Sequence, residues 1–223
     1  MDTSGHTPVA YLSRRAAQLE CMRCCIADLI PGDIIPAKVT HLERFGAFVD
    51  VGCGVISLLP VDGISVSRIS HPQERLAVSQ RIYVVIKSID GGSGRISVTH
   101  RELLGTWEEN AVMFAAGQTV AGIIRSIESY GIFVELTPNL TGLAEPHDGV
   151  VSGQSAAVYI KSITPERMKI KLVVVGAYRG EILRDVTRDT APPHYFIDTG
   201  SVEHISSWRY SPPSCGRVIE TVF

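Results

Sequence analysis

The chain has 223 residues, 45% of them hydrophobic and 20% charged, with a formal net charge of −2. That size admits one large domain or two small ones, and no apolar run is long enough to span a bilayer, so no membrane association is expected. The near-neutral charge excludes a protein that grips nucleic acid by bulk electrostatics, because phosphate affinity scales with the cations brought to the backbone; any polyanion contact must be local. The first residues lack the basic, apolar and small regions of a secretory signal, and the five cysteines have no framework spacing. Both features point to a reducing compartment, the cytoplasm.

From Pro8 to Ile30, the apolar residues Leu12, Ala16, Leu19, Met22, Ile26 and Leu29 recur at three- and four-residue spacings, with Arg14, Arg15 and Arg23 elsewhere on the cylinder. This pattern predicts a helix, ended by Pro31-Gly32. Cys21, Cys24 and Cys25 fall within it. A four-ligand zinc site needs a second pair at suitable spacing and none follows, so these thiols are expected to pack on the helix face.

After Gly32 the period changes to two. Ile35, Ala37 and Val39 alternate with Pro36, Lys38 and Thr40; Ala47, Val49 and Val51 alternate with Phe48 and Asp50; Ile82, Val84 and Ile86 alternate with Tyr83, Val85 and Lys87. Half-buried strands read this way. With the short runs Val55 to Leu59 and Arg95 to Thr99, the pattern gives the strand number of a small closed barrel of the oligonucleotide-binding (OB) type. Pro60 to Arg81 is its long connection, and Asp90-Gly91-Gly92-Ser93-Gly94 reads as a hairpin turn.

The same pattern then returns. Gly32, Phe45, Gly46, Phe48, Val49 and Asp50 match Gly117, Tyr130, Gly131, Phe133, Val134 and Glu135 at one constant offset. Lys87-Ser88-Ile89 matches Lys161-Ser162-Ile163 at a smaller offset, so the long connection shrinks while the strands persist. Between the halves, Thr106 followed by Glu109 is a capping box, predicting a short helix from Trp107 to about Phe114 that braces one barrel on the other.

The expected fold is mainly β: two tandem five-stranded OB-fold barrels, with an N-terminal helix and an irregular C-terminal extension. The expected partition is 1–31 (helix), 32–105 (first barrel), 106–116 (helical linker), 117–175 (second barrel) and 176–223 (extension). The last segment holds Pro192-Pro193, Pro212-Pro213, Tyr195, Phe196, Trp208 and Tyr210 without a steady period. It is too aromatic for plain disorder, and is expected to lie irregularly over the second barrel, with a short strand near Tyr195-Ile197 and Val218–Phe223 docked.

The repeated stretch suggests a chemistry. Phe45 and Phe48 are an odd number of positions apart, so a regular strand would send their rings to opposite faces; a glycine bulge at Gly46 would bring both outside. Tyr130, Gly131 and Phe133 can repeat the arrangement. Exposed rings on a barrel wall stack bases, each worth about 1–3 kcal/mol. Outward positions nearby bring cations: Lys38, Lys87 and Arg95 in the first half, Arg125, Lys161 and Lys169 in the second. Aromatics interleaved with positive charge make a groove for single-stranded nucleic acid. Burial of Phe48 and Phe133 in the core would defeat this reading.

Gly32-Asp33-Ile34-Ile35-Pro36-Ala37-Lys38-Val39, then Phe45-Gly46-Ala47-Phe48-Val49-Asp50, then Val84-Val85-Ile86-Lys87-Ser88-Ile89-Asp90 and Arg95-Ile96-Ser97-Val98, resemble the RNA-binding repeat of ribosomal protein S1, and the second half is similar to it too. His71-Pro72 and Leu103 to Glu108 resemble its connecting segments, and Ser13-Arg14-Arg15 resembles the motif that closes a repeat. The resemblance extends to short bacterial S1-like proteins, and implies that the chain begins just after a repeat absent here. It further implies single-stranded RNA, including mRNA, as partner, and action at or near the small ribosomal subunit. The family places a histidine on the third strand, where this chain has Pro60 and Glu145; Asp90 of the first half is Thr164 in the second. The first repeat is therefore expected to bind RNA better than the second, with modest, salt-sensitive affinity.

No cofactor, metal or catalysis is expected. The seven histidines are dispersed, with no nucleophile–base pair, no clustered carboxylates and no phosphate-cradling loop. The alternative reading is a protein-docking adaptor on ribosome or nuclease, with little RNA affinity. An apolar patch over the ring-bearing face would favour it.

Overall fold

The computed structural model describes residues 13–21, 23–24, 27–52, 54–90, 95–177 and 193–223. Strands β1 (Ile34–Glu43), β2 (Gly46–Asp50), β3 (Ile56–Pro60), β4 (Arg81–Ile89) and β5 (Ile96–Thr99) close into a barrel in the order β1-β2-β3-β5-β4. Strands β6 (Thr119–Glu128), β7 (Gly131–Thr137), β8 (Leu140–Ala144), β9 (Ser155–Thr164) and β10 (Lys169–Ala177) close a second in the same order. Each barrel is shut by one parallel pair, Leu58 beside Ser97 in the first and Leu143 beside Lys171 in the second. The chain is thus mainly β, with two tandem OB-type barrels.

The period of two explains the interiors. Val39, Ala47, Val49, Leu59, Val84 and Val98 point inward at 0% exposure in the first barrel, and Ile124, Ile132, Val134 and Leu140 do so in the second. Removing such side chains from water supplies about 1.5–3 kcal/mol each for the large aliphatics. Closure leaves no long free sheet edge for another chain to pair with.

The joint is rigid. Helix α2 (Trp107–Ala111) starts at the predicted capping box: Glu109 N donates to Thr106 Oγ1 at 3.2 Å, and Thr106 N donates to Glu109 Oε2 at 2.7 Å. Trp107, 2% exposed, joins the core of the second barrel. Asn139, fully buried in the β7–β8 turn, is the key between the barrels. Its Oδ1 accepts from Val66 N, its Nδ2 donates to Arg101 O and Gly105 O, and its carbonyl accepts from Tyr210 Oη. One residue, through its side-chain amide and its backbone carbonyl, thus ties the β7–β8 turn to the first barrel's connection, the start of the linker and the C-terminal segment.

Two expectations are corrected. The predicted N-terminal helix does not run on to Ile30: α1 spans Arg14–Cys21, with Leu19 exposed and Cys21 its one buried residue, and residues 27–30 are not helical; residues 1–12, Met22, Cys25 and Ile26 lie outside the described set. An eight-residue helix with so little packing gains little from burial. Cys21 is disulfide-bonded, not a free thiol, while Cys24 is exposed and its Sγ lies 3.5 Å from Glu20 Oε1.

Residues 193–223 of the C-terminal extension lie over the first barrel and the joint as well as the second barrel, while residues 178–192 lie outside the described set. Tyr195, Ile197, Val202, Ile205 and Phe223 cover Ile34, Val85 and Leu103. Ile34 N donates to Glu203 O and Phe196 N to Leu103 O. Trp208 and Tyr210 enter the second core, and Ile219 packs against it. No strand forms at Tyr195–Ile197; instead β11 (Ser207–Arg209) pairs with β12 (Glu220–Val222), so the chain end is docked as expected. Beneath this segment His100 is buried, its Nδ1 3.0 Å from Ile64 O and its ring edge-on to Tyr195. Burial lowers its pKa to about 4, and Nε2 has no partner among the described residues.

Candidate nucleic-acid interface

Phe45 occupies the two-residue turn between β1 and β2 and is 57% exposed; Phe48 points outward from β2 and is half-buried. Their rings meet edge to face at 6.0 Å and 88°. Tyr130, 65% exposed, and half-buried Phe133 repeat the geometry at 6.2 Å and 88°. Such pairs are self-supporting, one ring holding the other upright. Neither Phe48 nor Phe133 is core.

The route to this arrangement differs from the expected one. There is no bulge at Gly46: it pairs in register with Glu43 and with Pro60. Because Phe45 lies in a turn, no register shift is needed to bring it beside Phe48. The glycine serves close approach, since a Cβ at Gly46 would stand 2.4 Å from Leu59 O, and one at Gly131 would stand 2.6 Å from Ala144 O. The bulge lies across the ladder, between Val39 and His41 in β1 and between Ile124 and Ser126 in β6.

That bulge has a consequence which strand alternation in β1 does not announce. It sets His41 directly opposite Phe48, with ring centroids 6.3 Å apart and planes inclined by 28°. Glu43 Oε1 stands 2.8 Å from His41 Nε2. The first platform therefore has a third ring; Ser126 takes that place in the second. Lys171 was also missed. It flanks Leu143, which itself flanks Phe133, so it lies in the second platform's own row, where the first barrel has Ser97.

The structure divides the expected cations. Lys87 and Lys161 are exposed at register shifts in β4 and β9, and exposed Arg95 and Lys169 stand at the starts of β5 and β10. These two pairs flank the ring rows from the far strands. Lys38 is exposed on β1 between Asp50 and Arg81, two positions along β2 from Phe48. Lys161 Nζ reaches Glu145 Oε1 at 3.4 Å, an exposed pair that partly neutralises it.

Arg125 is not brought to the groove. Its side chain is 10% exposed; Nε donates to Glu135 Oε2 at 2.7 Å and Nη1 pairs with Glu74. Arg75 also pairs with Glu135, which is 4% exposed. Glu74 comes from the first barrel's long connection, held by a capping box in which its Oε1 accepts from Ser70 N and His71 N. The buried cluster fastens the barrels together, so the guanidinium is spent on carboxylates.

The fold and the outward ring rows define the molecule as a tandem OB-barrel protein. The family model described as S1 RNA binding domain matches residues 28–101. Small ribosomal subunit protein bS1 of Leuconostoc lactis is 30% identical over 177 residues, covering 72% of this chain and 41% of that protein. The bS1 protein of Staphylococcus aureus (strain COL) is 32% identical over 168 residues, covering 70% and 43%. The solution structure of GSP13 from Bacillus subtilis is 26% identical, with a TM-score of 0.32, over 33% of this chain and 57% of that one. The first barrel thus carries the S1 RNA binding domain match, and the chain as a whole is similar to bS1 proteins. It spans less than half the length of these bS1 relatives.

Proposed function

We propose that the protein binds single-stranded RNA, mRNA included, and acts in translation in the cytoplasm, at or near the small ribosomal subunit. The observation that carries this reading is the pair of ring platforms, with Phe45 57% and Tyr130 65% exposed on barrel walls flanked by Lys and Arg. Bases stack on Phe45, Phe48 and His41 in the first barrel and on Tyr130 and Phe133 in the second. Lys38, Lys87 and Arg95, and Lys161, Lys169 and Lys171, take the phosphates. Arg125 is withdrawn from this set. No catalytic step is part of the proposal.

The first platform is the stronger of the two. It has three rings, whereas Glu145 shares Lys161 in the second. The test is titration of fluorescently labelled single-stranded RNA at several salt concentrations, beside a pull-down from lysate with and without nuclease. The proposal expects saturable binding that weakens with salt, and partners lost on RNA removal. Absence of binding, with partners that survive nuclease, would favour the adaptor reading.

A further inference from the structure

In the first barrel, the outward positions beyond Phe48 along the strands are open: Lys38 is exposed on β1 and Ile56 is 49% exposed on β3. In the second barrel the matching positions are closed. Beyond Phe133 come Glu135 and its neighbour Thr141, and both are engaged by the first barrel's long connection. Arg75 pairs with Glu135, and Ser67 Oγ lies 2.6 Å from Thr141 Oγ1. A strand crossing the Tyr130–Phe133 platform in this direction meets the first barrel and must turn.

The place it can turn into is a cleft of about 210 Å³ lined by Arg68, Ser70, Glu74, Arg125, Ser152 and Gly153. That is many times the ~30 Å³ one water occupies in the liquid, and large enough for a phosphodiester group. Arg125 is adjacent in sequence to Ser126, the cross-strand neighbour of Phe133, so the cleft opens beside the second platform. The Arg125 guanidinium is already held by Glu74 and Glu135. Arg68 is different: it is exposed, and makes no hydrogen bond or ion pair with any other described residue. Its neighbours Ser70 and Ser152 carry hydroxyls, and Arg68 offsets the carboxylate of Glu74.

We propose that this inter-barrel cleft is a phosphodiester subsite, in which Arg68 holds the backbone of the RNA as it passes from the Tyr130–Phe133 platform around the joint. The inference rests on the RNA-binding reading above, and makes the fixed joint part of the binding surface. A bound strand then engages both barrels only when it is long enough to pass the cleft.

The test measures affinity and salt dependence by fluorescence anisotropy for two labelled oligouridylates, one of about 6 nucleotides, fitting a single barrel, and one of about 20, spanning both. For the long RNA, Arg68→Ala should weaken binding about fivefold at low salt and flatten the slope of log K against log salt by about 0.7, one phosphate contact on a single strand. Arg68→Lys should restore most of that slope. The short RNA should respond much less. An unchanged long-RNA slope in Arg68→Ala, together with a clear loss in Phe48→Ala, would overturn the subsite while leaving RNA binding intact. Failure of the unaltered chain to bind either RNA would overturn both.

Discussion

The two barrels share strand order, bulge position and an edge-to-face ring pair, yet differ in what surrounds the rings. In the first barrel Asp50 serves a local purpose, its Oδ1 accepting from Gly52 N and Gly54 N. The matching Glu135 is 4% exposed and joins the two barrels through Arg75 and Arg125. The duplicated scaffold has thus been used in two ways: one outward face is left open, and the other is partly given to assembly. A repeat in sequence does not imply a repeat in function when one copy must also hold its neighbour.

The contrast can be broken most strongly at the joint. Glu135→Gln should cost about 3–5 kcal/mol of unfolding free energy, because two guanidinium groups lose their buried anion. Asp50→Asn should cost about 1 kcal/mol, the loss of charge on a half-buried local cap. Urea unfolding of both variants reads the difference, and equal costs would show that the joint carries no special load.

Acid should separate the barrels next. Lowering the folded-state pKa of His100 to about 4 means that the unfolded chain binds the proton first. Stability is therefore full above about pH 6.5, the ordinary imidazole value, and falls as pH drops toward 4, by about 3 kcal/mol in all. The second barrel has buried Val174 at the matching position. His100→Gln should flatten the pH dependence of the denaturant midpoint between pH 4 and 6.5.

For RNA, Phe48→Ala should cost about 1–3 kcal/mol of binding and Phe133→Ala less; a larger loss from Phe133→Ala would reverse the ranking. The smallest effect is expected at the linker cap. Thr106→Ala should cost about 1 kcal/mol in stability, with RNA affinity unchanged, as followed by thermal unfolding and the same titration.

Much of this was legible in the sequence. Alternation at Ile35–Thr40 and Ala47–Val51 gave β1 and β2, the offset copy gave the second barrel, and Thr106 with Glu109 gave the linker cap. The outward rings were legible from Phe45-Gly46-Ala47-Phe48, although the glycine was assigned a bulge instead of a close approach to Leu59 O. What escaped was set by contacts between distant segments. Arg125 reads as a groove cation until Glu74, 51 positions earlier, is placed beside it by a capping box in the first barrel's long connection. His41 faces Phe48 only because of a one-residue register shift that no residue type marks. Tyr195 and Phe223 fit the flank of the first barrel while Trp208 and Tyr210 enter the second core, and lack of period in that segment hid which surface each would cover.

The central claim is that the open face of the first barrel carries most of the RNA contact. Amide chemical-shift mapping of the isotopically labelled chain with a single-stranded oligoribonucleotide tests it most directly. The account expects the largest perturbations at Lys38, His41, Phe45, Phe48 and Lys87, with smaller ones at Tyr130, Phe133 and Lys171. Perturbations confined to the second barrel, or to the C-terminal segment around Tyr195 and Phe223, would contradict it.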